Sequence, residues 1–436
     1  MADIRVVAVQ TMHAVLMDGR SFATVLVEAE KRIPPDARSR LRAVCFEWAR
    51  WATQLEAMVD AKLDKPLRAK DIDVYLLMQL GVLELTRMNT PAHTAVNECV
   101  KALKGLKRPW AKGLVNAVLR NTQRQPIDTE SLNRAEKYAY PDWWITALKH
   151  DWPDHIDALL EGGNLRAPMT LRVNRLVAKA PDTLKQFDEM GLSADAHPYA
   201  PDAIALTEPM SVTSVPGFSD GQLSVQDAAA QMIVPLLEQA GVKPSNMLDA
   251  CSAPGGKTAY LLEAFPDSQV LALDQSPERL IRVNENLTRL SLQPRAGTQA
   301  VDASDVSDWW DQEAFDFVLL DAPCTGSGVI RRHPDIKHTR RPEDIENLAQ
   351  QQNQLLGTLW ETVAPGGHLL YATCSVFKQE NTQQVERFLS ANPDASDATP
   401  NNLPWAHEQP VGYQVLPGEN DMDGFYYALL NKAGHG

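Results

Sequence analysis

From about Gln222 to the end of the chain, short apolar runs alternate with stretches of helical spacing, a pattern that specifies a doubly wound parallel sheet. The runs are Met247–Leu248, Val270–Leu273, Thr298–Val301, Phe317–Leu320 and His368–Tyr371, with a late pair at Gln414–Leu416 and Phe425–Leu430. Aspartates follow at once at Asp274, Asp302 and Asp321. Two cysteines come just after strand-like runs, in Asp321-Ala-Pro-Cys324-Thr-Gly-Ser-Gly328 and Tyr371-Ala-Thr-Cys374-Ser375. An open α/β sheet binds its ligand outside the carboxyl ends of its strands, so thiols and carboxylates are expected at one mouth. Thiols beside a nucleotide-like cofactor point to group transfer onto an electron-poor ring.

The cofactor turn is expected at Met247-Leu-Asp-Ala-Cys-Ser-Ala-Pro-Gly-Gly-Lys-Thr258, which reads as strand, glycine turn and helix start. Gly256-Lys257-Thr258 would end a P-loop, but the first glycine of that loop falls on Cys251, which removes its phosphate-cradling geometry and disfavours ATP hydrolysis. The dinucleotide pattern GxGxxG is absent as well. What remains is a turn with Asp249 beside it, Asp274 about twenty positions later to accept ribose hydroxyls, and Asp302 placed for an adenine amino group. An acidic lining suits the cationic nucleoside S-adenosylmethionine better than a triphosphate. The competing reading is that each aspartate merely caps the next helix.

A chain of 436 residues is long enough for two or three domains with cores of their own. Residues 1–125 show apolar spacing of three and four, with helix stops at Gly19, Pro34-Pro35, Pro66 and Pro91, and read as all-α. Asp36 is the expected N-cap of the long amphipathic helix through Leu41, Trp48 and Leu55. Residues 141–225 mix helical pieces with strand-like runs at Thr170–Val173, Leu192–Ala194 and Ala203–Leu206, a small α+β module. The expected domains are 1–128, 129–221 and 222–436.

The five cysteines are odd in number and widely spread, which excludes a disulfide framework and a clustered zinc site and implies a reducing compartment. Cys45 and Cys99 fall on apolar helix faces and read as core. No metal is expected, and no stretch resembles a signal peptide or a spanning helix, so the expectation is a soluble cytoplasmic protein away from membranes. The net charge of −14 hides an asymmetry. Residues 1–125 hold 20 Lys+Arg against 13 Asp+Glu, a net of +7, leaving 22 against 43, or −21, for the rest. Lys101, Lys104, Lys107, Arg108, Lys112, Arg120 and Arg124 follow one another with no acidic residue between, either a phosphate-binding face or an ordinary solvated one.

Asp249-Ala-Cys-Ser-Ala-Pro-Gly-Gly-Lys-Thr258, Asp321-Ala-Pro-Cys324 and Thr373-Cys374-Ser375 resemble the motifs of RNA cytosine-5 methyltransferases. Gly328-Val-Ile-Arg-Arg-His-Pro-Asp-Ile-Lys337 and Asp423-Gly-Phe-Tyr-Tyr427 resemble those of the bacterial RsmB (Fmu/Sun) branch of the RsmB/NOP family, which modifies one cytosine of 16S ribosomal RNA. His93-Thr-Ala-Val-Asn-Glu98 and Gly113-Leu-Val-Asn-Ala-Val-Leu119 are similar to the NusB fold, an RNA-binding helical domain carried by that branch. The middle module matches only through Leu171-Arg-Val-Asn174.

The resemblance implies a NusB-like domain, the small α+β module and a Rossmann-like class I methyltransferase domain. It implies S-adenosylmethionine held by Cys251, Ser252, Ala253, Pro254, Gly255, Gly256, Lys257, Asp274, Asp302 and Asp321. It makes Cys374 the nucleophile and Cys324 the residue that releases product. Asp321 is also the expected group at ring nitrogen 3. Arg331, Arg332 and Lys337, in a basic cluster beside the Cys324 loop, are expected to hold RNA backbone. The expected partner is 16S ribosomal RNA, free or early in assembly, met by a monomer. The alternatives are a methyltransferase acting on transfer RNA and a non-catalytic NusB-like RNA-binding protein.

Overall fold

The computed structural model describes residues 3–434. They fall into two compact units, one running to Asn164 and including Ile330–Pro342, the other comprising Leu165–Val329 and the chain from Glu343 onward.

The first unit is helical, with helices Ile4–Asp18, Phe22–Glu30, Arg38–Asp60, Ile72–Thr86, Ala92–Gly105 and Lys112–Arg124 followed by shorter ones to Asn164. The sequence stops act as expected: Gly19 closes the first helix in the left-handed region at φ 64°, and Pro91 precedes Ala92–Gly105. Asp36 is not the cap of Arg38–Asp60, because Pro35–Ala37 first make a turn of 3-10 helix. Trp48, Leu55, Leu77, Leu80, Val115 and Leu119 form the centre of the core, and Cys45 and Cys99 are buried within it.

Segment Ile330–Pro342 corrects one expectation. Lys337 is 1% exposed, and its ammonium donates to the carbonyls of Arg50 and Ala139 and to Asn164 Oδ1 at 2.7–3.0 Å, over the Tyr140 ring. Arg331 is 2% exposed, and its carbonyl accepts from Arg50. Asp335 accepts from the Phe22 backbone N–H, and His338 donates to the Ala49 carbonyl. Arg331 and Lys337 are therefore interior groups of the helical unit and present no cation to a phosphate. Arg332 keeps partial exposure.

In the second unit, β1 (Met169–Val173), β2 (Ala194–Ala196), β3 (Ala203–Leu206) and β4 (Leu223–Val225) make an antiparallel sheet in the order β2-β3-β1-β4. This differs from the expected division at residues 221 and 222, since β4 pairs back onto β1. The helices up to Asn164 group with the first unit.

The large sheet comprises β5 (Asn246–Asp249), β6 (Gln269–Asp274), β7 (Ala296–Ala300), β8 (Phe315–Asp321), β9 (Val363–Thr373), β10 (Ala395–Asp397), β11 (His407–Glu408), β12 (Tyr413–Val415) and β13 (Phe425–Lys432). Its order is β11-β12-β13-β9-β8-β5-β6-β7, with β10 also on β13. Strands β5 to β9 run parallel, and β13 returns antiparallel along β9. The chain winds from β5 out to β7 and then restarts on the other side with β8. The order thus reverses between β5 and β8, and a crevice opens at their carboxyl ends. Phe317, Val318, Leu319 and Leu320 are wholly buried, which is why β8 reads as one continuous apolar run.

Candidate active site

The strand ends deliver the expected residues to that crevice. Asp249 and Asp321 end the adjacent strands β5 and β8, Asp274 ends β6, and Cys374 directly follows β9. A cavity of about 240 Å³ is lined by Cys251, Ala253, Asp274, Asp302, Asp321, Cys324 and Cys374, among others.

The glycine turn packs as the sequence requires. Gly255 has φ 94°, and a Cβ there would come within 3.1 Å of the Val283 backbone, so only glycine fits. The Ser252 N–H donates to the Leu273 carbonyl at 2.8 Å, tying the turn to the end of β6. Asp274 accepts from the Ser276 and Ala253 N–H groups and pairs with Arg279 at 3.3 Å. Cys251 and Ala253 reach the cavity, Ser252 is buried behind them, and Pro254, Gly255 and Gly256 line a neighbouring cleft. Asp302 is exposed and accepts from the Ser304 N–H and hydroxyl, so it caps its own loop as well as lining the cavity.

Lys257, Asp321 and Asp249 meet two thiols at the switch point. Lys257 Nζ lies 2.5 Å from Asp321 Oδ2, and the ammonium sits over the Phe425 ring. Burial opposes its charge, but Asp321 and then Cys374 outweigh burial and hold Lys257 above its ordinary range. Asp249 is buried, and desolvation pushes it up to about 7 although the Thr258 hydroxyl donates to it at 2.5 Å. Cys324 Sγ and Cys374 Sγ are 3.3 Å apart. The bond to Cys374, then burial, then the charges of Cys374 and Glu380 hold the Cys324 thiol well above the usual range. Burial likewise raises the Cys251 thiol and leaves it inert.

Over 434 residues the chain is 42% identical to the ribosomal RNA small subunit methyltransferase B of Vibrio vulnificus, covering 99% of each protein. It belongs to the RsmB/F methyltransferase family. The family described as 16S rRNA methyltransferase RsmB/F matches residues 239–431, the RsmF/B-like ferredoxin-like domain matches 140–213, and the NusB family matches 2–124. The crystal structure of PH0851 shares the fold over 99% of both chains, with a TM-score of 0.78 at 21% identity. A methyltransferase homolog protein from Pyrococcus horikoshii, 25% identical, covers 70% of this chain and all of its own at a TM-score of 0.59.

The family domain also holds residues that sequence reasoning passed over. Arg172, quoted above only within a weak motif, is wholly buried in β1. It pairs with Glu263 and donates to the Gly256 carbonyl at 2.7 Å, so the small sheet supports the glycine turn. Gln351 and Leu355, on helix Glu343–Thr362, line the cavity. Glu380 lies behind both cysteine loops. No spacing rule marks these residues, because their partners are distant in sequence. Among the described residues, no group of three or more His, Cys, Asp or Glu is placed to hold a metal, and no helix is long and apolar enough to cross a membrane.

Proposed function

We propose that the protein methylates carbon 5 of a cytosine in small-subunit ribosomal RNA, through a covalent bond between Cys374 and the base. The observation that carries this reading is the pair of thiols 3.3 Å apart at the switch point, beside the Lys257–Asp321 ion pair. The relatives named for ribosomal RNA small subunit methylation support the substrate.

The cavity fits S-adenosylmethionine: Asp274, Asp302 and Asp321 give it the carboxylate lining that sulfonium and ammonium charges need, and Cys251 and Ala253 supply its turn. When bound, that cofactor supplies an electrophilic methyl group. Everything else falls to the chain. Carbon 5 of cytosine is too weak a nucleophile alone, so Cys374 adds to carbon 6 as a thiolate and pushes electron density across the ring. Lys257, whose charge Cys374 reinforces, is the cation that favours this thiolate. Asp321 meets ring nitrogen 3, where charge builds, and the proton on the Lys257–Asp321 pair is available to it.

Once the Cys374 sulfur is bonded to carbon 6, Cys324 loses the hydrogen bond that contributed most to holding its proton, and that proton passes to solvent. The Cys324 thiolate then takes the proton from carbon 5, and elimination restores Cys374. One proton leaves per methyl group gained. Unstacking the target base costs a few kcal/mol, least in single-stranded RNA. Exposed Lys101, Lys104, Lys107, Lys112 and Arg120 on the helical unit, together with Arg332, hold the RNA backbone in this reading.

The test incubates the protein with small-subunit ribosomal RNA and methyl-labelled S-adenosylmethionine and maps the product by nuclease digestion and mass spectrometry. The expected product is 5-methylcytosine at one site. Cys374→Ala is expected to lose at least about a thousandfold in rate, the scale of removing a covalent nucleophile. Cys324→Ala is expected to accumulate an RNA–protein adduct that survives denaturant. Label retained in Cys374→Ala would show that another residue is the nucleophile, and no adduct in Cys324→Ala would remove its release role.

A further inference from the structure

Behind the two thiols lies a carboxylate that the proposed mechanism does not use. Glu380 is 0% exposed, in the loop between β9 and helix Thr382–Ala391. Its Oε1 accepts from the Thr325 backbone N–H at 2.8 Å and from Gln352 Nε2 at 3.0 Å. Its Oε2 accepts from the Thr325 hydroxyl at 2.6 Å and from the Ser375 hydroxyl at 2.5 Å. Four donors can fill the four lone-pair sites of a carboxylate. Burial raises its pKa, and the bonds from Ser375, Thr325 and Gln352 act against burial to favour the ionised form.

The donors are what matter. Thr325 directly follows Cys324, and Ser375 directly follows Cys374, so one side chain holds both cysteine loops. The tie is doubled by Ser327, whose hydroxyl meets Ser375 Oγ at 3.0 Å and accepts from the Val376 N–H at 2.9 Å. The Gly328 N–H donates to the Cys374 carbonyl at 2.8 Å. The Tyr371 hydroxyl donates to the Glu380 carbonyl at 2.6 Å and fixes the loop from β9.

We infer that Glu380 is a positioning residue that holds the two thiols against each other and, by its charge, assigns their shared proton to Cys324. The inference rests on the reading of Cys374 as nucleophile and Cys324 as base. It explains how two thiols in contact keep separate roles: the charge of Glu380 raises Cys324, while the Lys257 cation and Cys374 reinforce each other. The titratable groups around Cys324 are Cys374, Glu380 and Tyr371, with Asp321 three residues before it.

The first arm of the test needs no RNA. Alkylation of each cysteine by iodoacetamide is followed by peptide mass spectrometry from pH 6 to 10 in the full-length protein. In Glu380→Gln the Cys324 profile is expected to move about one pH unit lower, the scale of losing one nearby buried charge, and in Glu380→Asp to stay near the parent's. A Cys324 profile unchanged in folded Glu380→Gln overturns the inference. Thr325→Val is the second arm: it keeps the charge and the volume but cuts the hydroxyl tie to the Cys324 loop. Its expected result is a kcat about tenfold lower with KM for RNA unchanged, and a kcat equal to the parent's overturns the positioning role. This arm decides if Glu380→Gln does not fold. If the parent protein makes no 5-methylcytosine, the methyltransferase reading fails while the alkylation arm still judges Glu380.

Discussion

Asp249 shows what one residue contributes beyond its place in a motif. Desolvation lifts its pKa from about 3.8 to about 7, so between those values the unfolded chain has released a proton that the folded chain retains. The folded state binds more protons there, and stability falls as pH rises through the window. Asp249→Asn is expected to remove this slope: its unfolding free energy should fall less between pH 5 and pH 7 than the parent's, by on the order of a few kcal/mol at most, and its melting temperature should drop less accordingly. Parallel melts of the two proteins check it, and equal slopes would mean that Asp249 is ionised in the fold. The placement of Asp249, Asp321, Cys324 and Cys374 at the carboxyl ends of the strands was legible in the sequence, because each follows or ends an apolar run. The charge each carries was not, since it depends on Thr258, Lys257 and Glu380, which the fold alone brings near.

At the scale of elements, segment Ile330–Pro342 carries the clearest lesson. Arg331, Arg332 and Lys337, following the Cys324 loop, read from the sequence as a clamp for RNA backbone. The fold buries Lys337 instead. Its ammonium saturates three acceptors in the helical unit, and burial holds it well below its ordinary pKa. Lys337→Ala strands those acceptors at about 1–3 kcal/mol each before relaxation, so the helical unit should lose ~3 kcal/mol or more. Thermal melts and limited proteolysis within residues 330–342 read this out. A variant as stable and protease-resistant as the parent would show that the acceptors find other partners. Arg172 repeats the theme in β1, where a guanidinium wholly out of water anchors Glu263 and the glycine turn. Element types were legible because apolar periodicity is local; the interior cations were not, because burial of a charge depends on acceptors supplied by other elements.

For the molecule as a whole, charge and connectivity matter most. The net of −14 conceals +7 in residues 1–125, where Lys104, Lys107, Lys112, Arg120 and Arg124 are exposed and Trp110 stands 54% exposed among the lysines. If this face holds RNA, the double charge reversal Lys104→Glu and Lys112→Glu should weaken binding across RNA sequences. It should also lower the slope of log affinity against log salt by about 1 for each phosphate that is no longer neutralised. Filter binding between about 50 and 200 mM salt measures it. An unchanged slope would return the face to ordinary solvent. Arg108 lies outside this set, since it pairs with Asp73 and the Lys70 carbonyl.

By itself the sequence determined the class of the large sheet, the glycine turn, the strand-end carboxylates and the two cysteines, because hydrophobic period and turn chemistry act between neighbours in the chain. Tertiary structure decided the rest. It made the chain leave one unit at Val329 and rejoin it at Glu343, joined β4 to β1, buried Lys337 and Arg172, and set Glu380 behind both thiols. For Lys337 and Arg172 the deciding energy is the desolvation of a charged group against partners scores of residues away, which no local pattern encodes.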